Sequence, residues 1–213
     1  MMEAMTTRSR ATRMSPDERR AAIVTAVFPL LEQYGGEVST RRIAEAAGIA
    51  EGTIFRVFPD KRSLLLAVAE ETVAPPGWRQ DMESLLASAP TLRQKVVVTV
   101  EQMVERSRRV MLVLTALRGV LMSENHSEGS RHRAVPPGPP RFFVDSARDL
   151  HRALTELVFT PHRAELTVPP DRAARAMSSL VMGAWHPGTA DEDLLTAEEI
   201  TDLLLHGVLR EES

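Results

Sequence analysis

Two short helical patterns flank the tripeptide Gly48-Ile49-Ala50, and this arrangement constrains the fold more than any other part of the chain. The first pattern starts at Ser39-Thr40, hydroxyl residues suited to a helix start, and carries Ile43, Ala44 and Ala47 at helical spacing. Gly48 ends it, because glycine tolerates the left-handed backbone on which a helix stops abruptly. The second pattern, Glu51 to Phe58, places Ile54 and Phe58 on one face. Helices joined by so short a turn cannot lie antiparallel and must cross steeply. That is helix-turn-helix geometry, which offers one helix to a groove of DNA. The stretch from Val38 to Leu65 is read as a DNA-reading head, and the remainder as what supports, pairs and controls it.

The flanking sequence completes the head. Ser15-Pro16-Asp17-Glu18 is a helix start: serine caps, proline suits the first helical position, and Glu18 closes a capping box. Ile23, Val27, Leu30, Leu31 and Tyr34 follow at helical spacing, and Gly35-Gly36 ends the helix. Pro29 lies inside and removes the hydrogen bond to the carbonyl of Thr25. After the helix-turn-helix (residues 39–58), Asp60 caps a helix through Thr72 with Leu64, Leu65, Val68 and Ala69 inward. The break at Ala74-Pro75-Pro76-Gly77 sets a boundary between a head over residues 15–74 and a body over residues 75–213. Residues 1–14 are a basic tail carrying Arg8, Arg10 and Arg13, read either as a disordered end or as an arm laid along phosphates.

The body reads as helical throughout. Trp78 to Ala89 is a short helix. Thr91 to Ser123 keeps helical spacing at Leu92, Val96, Val100, Met103 and Val104, with the basic run Arg106 to Arg109 read as a separator of two helices. Glu124 to Pro140 is a loop rich in Ser, Gly and Pro. A helix from Arg141 to about Phe159 turns Val144, Ala147, Leu150 and Leu154 inward. Pro169-Pro170-Asp171 opens another, ended by His186-Pro187-Gly188. Thr196 and Glu199 form a second capping box ahead of a stripe of Ile200, Leu203, Leu204, Gly207 and Val208. No alternating strand pattern appears, so the class is all-α.

Charge and composition narrow the function classes. The net charge of −3 divides into +2 over residues 1–64 and −5 over the remainder, a mild asymmetry in the direction a DNA-binding head requires. The chain has 0 cysteines, which removes disulfides and thiolate chemistry and fits a reducing cytoplasm. The N-terminus lacks the apolar core of a secretion signal, and no apolar run is long enough to span a bilayer. The expectation is a cytoplasmic protein with no membrane partner. The six histidines, His126, His132, His151, His162, His186 and His206, form no metal-binding pattern, and no nucleophile, phosphate-loop or paired-carboxylate motif is visible. No catalytic residue, metal or cofactor is expected. A small all-α enzyme stays as the alternative from another class, as does a DNA-binding dimer with no ligand.

The run STRRIAEAAGIAEGTIFRVFPDKRSLLLAV resembles the DNA-binding domain of the TetR (tetracycline-repressor) family of transcriptional regulators, over roughly residues 15–72. The body resembles that family only in its helical character and in the Pro-Pro-Asp-Arg-Ala-Ala start near its C-terminus. The resemblance implies that Glu51–Phe58 is the recognition helix. Carried over by position, Thr40, Thr53 and Lys61 would touch phosphate, and Arg41 a guanine. Arg42, Glu51, Gly52, Phe55, Arg56 and Val57 complete the DNA-facing set. Glu51 would accept from a cytosine amine, and Val57 would touch a thymine methyl. In two places the chain departs from the family pattern: Ala50 lacks the capping hydroxyl, and Phe55 lacks a tyrosine hydroxyl.

The resemblance further implies a body that pairs with a second copy and binds a small effector, giving a repressor on a pseudo-palindromic double-stranded operator. Well-formed apolar stripes on the last two helices agree with pairing. For a hydrophobic effector, Met103, Met111, Leu114, Leu117, Phe142, Phe143, Met182 and Trp185 are the pocket candidates, since Met and aromatic side chains suit adaptable cavities. Simple core packing is the competing reading for each.

Overall fold

A computed structural model describes residues 14–126, 139–184 and 195–208, and these are helical apart from their connections, with no strand among them. α1 spans Pro16–Tyr34 and starts as the sequence requires: Ser15 Oγ accepts from Glu18 N at 3.1 Å, and Glu18 Oε2 accepts from Ser15 N at 2.6 Å. It runs unbroken through Pro29, whose exposed position leaves the orphaned carbonyl of the exposed Thr25 to water. A single 3₁₀ turn, Gly35–Glu37, leads into α2 (Thr40–Ala46), α3 (Glu51–Val57) and α4 (Lys61–Val73). Gly48 takes φ of 67° in the turn between α2 and α3, the left-handed conformation that glycine supplies without a steric penalty. α4 is capped by Asp60 Oδ1, which accepts from Ser63 N at 2.6 Å.

The body contains α5 (Trp78–Ala87), α6 (Leu92–His126), α7 (Arg141–Ala153), α8 (Pro170–Ala184) and α9 (Ala197–Val208). α6 is one helix of 35 residues, so Arg106 to Arg109 do not separate two helices. A basic run is no helix breaker, since arginine is a good helix former and Glu105 pairs with Arg109 along the axis at 2.9 Å. The β-branched run Val96 to Val100 is helical too, because Val96 and Val100 meet other helices on one face. The helical run from Arg141 reaches Phe159 as the sequence suggests, but its last part changes type. Leu154–Phe159 continue as a π-helical turn and Thr160–Glu165 as a 3₁₀ segment, where Pro161 cannot donate to the helical ladder. Ala147 faces solvent rather than the core, and Val144 and Leu150 are half-buried. In α9 the inward set is Ile200, Thr201, Leu204 and Leu205, whereas Leu203 is 56% exposed and Gly207 is exposed. The second capping box is present, with Thr196 Oγ1 accepting from Glu199 N at 3.2 Å.

Two apolar cores form. The head core joins Ile23, Val27, Leu31, Ile43, Ile54, Phe58, Leu64 and Leu65 to Val113, Ala116 and Val120 of α6. The body core joins Leu92, Val96, Val100 and Met103 of α6 to Leu154, Val158, Phe159, Met177, Val181, Ile200 and Leu204. α4 lies along α6 in the most extensive helix pairing among the described residues. Ala67 is buried as well as the expected α4 stripe, as a helix sandwiched between neighbours requires. The sequence break at 74–77 therefore separates elements, while the packing of the head extends across it onto α6. Gly36 marks the closest approach: a Cβ there would lie 3.3 Å from the Ala116 Cα. The basic tail over residues 1–13, most of the loop 124–140 and the helix end at His186-Pro187-Gly188 lie outside the described residues.

Candidate nucleic-acid interface and effector cavity

The head presents α3 outward. Ile54 and Phe58 are held in the core at 1% exposure each, and this fixes the rotation of the helix. Arg20 of α1 covers the Phe58 ring, its guanidinium carbon 4.7 Å from the centroid. The opposite face of α3 carries Glu51, Gly52, Phe55 and Arg56, all exposed, with Thr53 and Val57 half-buried beside it. Phe55 is 51% exposed, an apolar ring left in water by the isolated chain. Among the described residues no atom outside the helix's own backbone lies within 4 Å of where a Gly52 Cβ would stand, so none of them explains a glycine there. α3 begins without a side-chain cap, as Ala50 dictates.

The flanking site residues are already partnered. Thr40 Oγ1 donates to Glu51 Oε1 at 2.6 Å and ties the start of α2 to the start of α3. Arg41 Nε donates to Glu45 Oε1 at 3.0 Å, with side-chain exposures of 77% and 63%. Such a solvated pair contributes little and exchanges readily for another anion. Arg42 stacks over the Tyr34 ring at 4.1 Å. Lys61 Nζ donates to the Gly36 carbonyl at 3.1 Å, and burial pushes its pKa below the usual lysine value. Lys61 therefore braces α4 against the 3₁₀ turn that touches α6, a role its position in the sequence did not announce.

This geometry, a buried Ile54 and Phe58 beneath an exposed α3 that follows a left-handed glycine turn, coincides with a sequence match. Residues 23–68 match the family described as bacterial regulatory proteins, tetR family. Over these residues the chain carries a TetR-type DNA-binding domain. The protein is a DNA-binding transcriptional regulator, a helix-turn-helix head on a helical body. Solved structures share the fold over nearly the whole length. A candidate transcriptional regulator from a Rhodococcus species is 21% identical, with 89% of this chain and 94% of that one covered and a TM-score of 0.61. NalD of Pseudomonas aeruginosa, the secondary repressor of the MexAB-OprM multidrug efflux pump, is 21% identical, with coverages of 92% and 98% and a TM-score of 0.51. SmeT in complex with triclosan is 17% identical, with coverages of 91% and 92% and a TM-score of 0.55. No curated protein matches the chain significantly.

In the body the pocket candidates are scattered. Met103 is in the body core, Leu117, Phe142 and Phe143 pack against the head core, and Met182 is 69% exposed. Met111 and Leu114 are half-buried, and Trp185 lies outside the described residues. Phe142 and Phe143 stack on each other with centroids 4.7 Å apart. Phe143, alone of the described candidates, borders an open groove of about 470 Å³, beside Val144, Ala147 and His151.

A different cavity, of about 400 Å³, opens where α4, α5 and α6 meet, with Thr72, Trp78, Met82, Leu85, Thr99 and Arg106 in its wall. None of the seven described candidates lines it. The signal for it was present in the sequence: Thr99, Gln102, Arg106 and Arg109 recur at three- and four-residue spacing, a polar stripe on one side of α6. The Thr72 and Thr99 hydroxyls donate to the carbonyls of Val68 and Lys95 at 2.7 and 2.6 Å, so their hydrogens are committed to the helices.

Proposed function

We propose that this regulator is a dimeric repressor that covers a pseudo-palindromic operator in the cytoplasm until a small effector binds its body, and that it has no catalytic role. The observation that carries the DNA reading is the outward face of α3, where Gly52, Phe55 and Arg56 are exposed without a folding reason. A groove wall approaching Gly52 and Phe55 supplies one. In this reading Glu51, Arg56 and Val57 meet base edges, Thr40, Thr53 and Lys61 meet phosphate, and Arg42 lies alongside. Arg41 exchanges Glu45 for a guanine.

The exposed apolar side chains Met182 of α8 (69%) and Leu203 of α9 (56%) support pairing through these helices with a second copy. Two heads so held read successive major grooves, one helical turn apart. The cavity beside α6 supports control. α4 borders it at Thr72, and the first residue of α4, Lys61, holds the 3₁₀ turn of the head. An effector that favours a different α4–α6 arrangement changes the spacing of the heads and shifts the population off the operator.

A gel-shift experiment with DNA flanking the protein's own gene, at stated salt, tests the reading. The expected result is a shift that weakens as salt rises. No shift at any salt refutes it.

A further inference from the structure

Arg106 is set apart from the other charges at the α4–α5–α6 cavity. Four charged side chains line this cavity: Asp81, Glu105, Arg106 and Arg109. Glu105 and Arg109 pair with each other at 2.9 Å, each about half exposed (52% and 53%), so they are solvated and mutually neutral at the rim. Asp81 of α5 is solvent-exposed. Arg106 is half-buried, and no carboxylate lies within ion-pair distance of it among the described residues. Its guanidinium lies over the Trp78 ring at 5.4 Å. Desolvation pushes its pKa below the usual arginine value.

A guanidinium withdrawn from water without a counter-ion is costly, and an aromatic face offsets only part of that cost. It keeps a planar fork of N–H donors matched to the oxygens of a carboxylate, sulfonate or phosphate. The wall contributed by the α4–α5 connection and α5 offers apolar surface at Pro75, Trp78, Met82 and Leu85. The volume of about 400 Å³ lies in the range of small-ligand sites.

We propose that the effector is an amphipathic organic anion, its acidic group held by Arg106 and its apolar body laid against Trp78, Met82 and Leu85. This deepens the effector reading above and rests on it, but commits to a charge that a purely hydrophobic effector lacks. The anion supplies the counter-ion that Arg106 lacks, at the point where α6 passes from the body core to the head core.

Three probes with one aromatic body separate the possibilities: indoleacetate, tryptophol and tryptamine, titrated calorimetrically into the full chain. The acid is expected to bind about tenfold or more tightly than the alcohol. Arg106→Met should abolish that preference without lowering the melting temperature. Arg106→Lys should restore part of it, as a charge without the fork. Trp78→Leu should weaken all three probes. The inference is overturned if the alcohol binds as tightly as the acid. It is equally overturned if Arg106→Met keeps the preference, if tryptamine is preferred (a site read through Asp81), or if no probe binds. The regulator reading fails separately: a chain that shifts its flanking DNA but does not prefer the acid loses only this inference.

Discussion

The two halves of α6 belong to different structures. The first half gives Leu92, Val96, Val100 and Met103 to the body core; the second gives Val113, Ala116 and Val120 to the head core. Between Met103 and Val113 no side chain is fully buried, and this span carries Arg106 and Arg109 past the cavity. Head and body are thus joined by a helix that is packed at both ends and loosely held in the middle. The two cores therefore meet along α6, not at the proline-rich break after α4.

The largest effects test whether the shared helix makes one cooperative unit. Phe159→Ala in the body should cost ~3–5 kcal/mol and Leu65→Ala in the head ~2–5 kcal/mol, since both side chains are 0% exposed. If α6 couples the cores, each variant lowers a single calorimetric transition. Two transitions, with Leu65→Ala moving only one, would break the comparison and make the head an independent domain.

The next effects concern the head's DNA-facing residues, where the sequence reading gives Arg41 to a base and Lys61 to phosphate. Arg41 is held only by a solvated pair with Glu45, so Arg41→Ala should leave stability nearly unchanged, cost ~1–3 kcal/mol of operator binding and relax specificity. Lys61→Ala should weaken all DNA sequences alike and lower the salt slope by about 1. It should also lower the melting temperature, because the Gly36 carbonyl loses its donor. Fluorescence anisotropy against operator and scrambled duplexes, with thermal melts, reads both. Equal changes in specificity from the two variants would sink the division into base and phosphate contacts.

How much was legible in the sequence follows the range of the interactions involved. Local chemistry was readable: the Ser15–Glu18 and Thr196–Glu199 boxes, the Asp60 cap, the left-handed Gly48 and the uncapped α3 all stand where residue types place them. What was not readable depends on a distant partner. Nothing near Val113 announces that it packs under the head, and nothing near Lys61 announces Gly36, 25 residues away. Leu203 fits a helical stripe as well as Leu205 does, and only the packing of α9 decides which turns outward. The cavity was missed for the same reason, since its wall is drawn from three helices while its stripe on α6 is polar and looks solvated.

A gain of stability is available at the missing cap. Ala50→Ser gives α3 a capping side-chain oxygen such as α1, α2 and α4 have in Ser15, Ser39 and Asp60, and should stabilise by ~1 kcal/mol in chemical denaturation. If head and body unfold together, that gain appears in the one shared transition. If α3 frays independently, amide exchange at Thr53 and Ile54 slows while the global midpoint stays fixed.

The smallest effect compares a capping box in the head with one in the body. Glu18 and Glu199 each accept hydrogen bonds from the residue they cap, Ser15 and Thr196, and each has its pKa lowered mainly by the backbone N–H it holds. A carboxylate whose pKa is lower folded than unfolded contributes stability that is fully present above its unfolded value, about 4.3 for glutamate. That contribution is lost as pH falls through the lower, folded value. Glu18→Gln and Glu199→Gln should therefore trail the wild type at pH 7 and approach it on acidification below about pH 4. Urea midpoints from neutral to acid pH read this directly. With the cores joined through α6, the two variants should follow one pH profile on one transition. A pH-dependent difference confined to the head for Glu18 and to the body for Glu199 would place a cooperative boundary in the loosely held middle of α6.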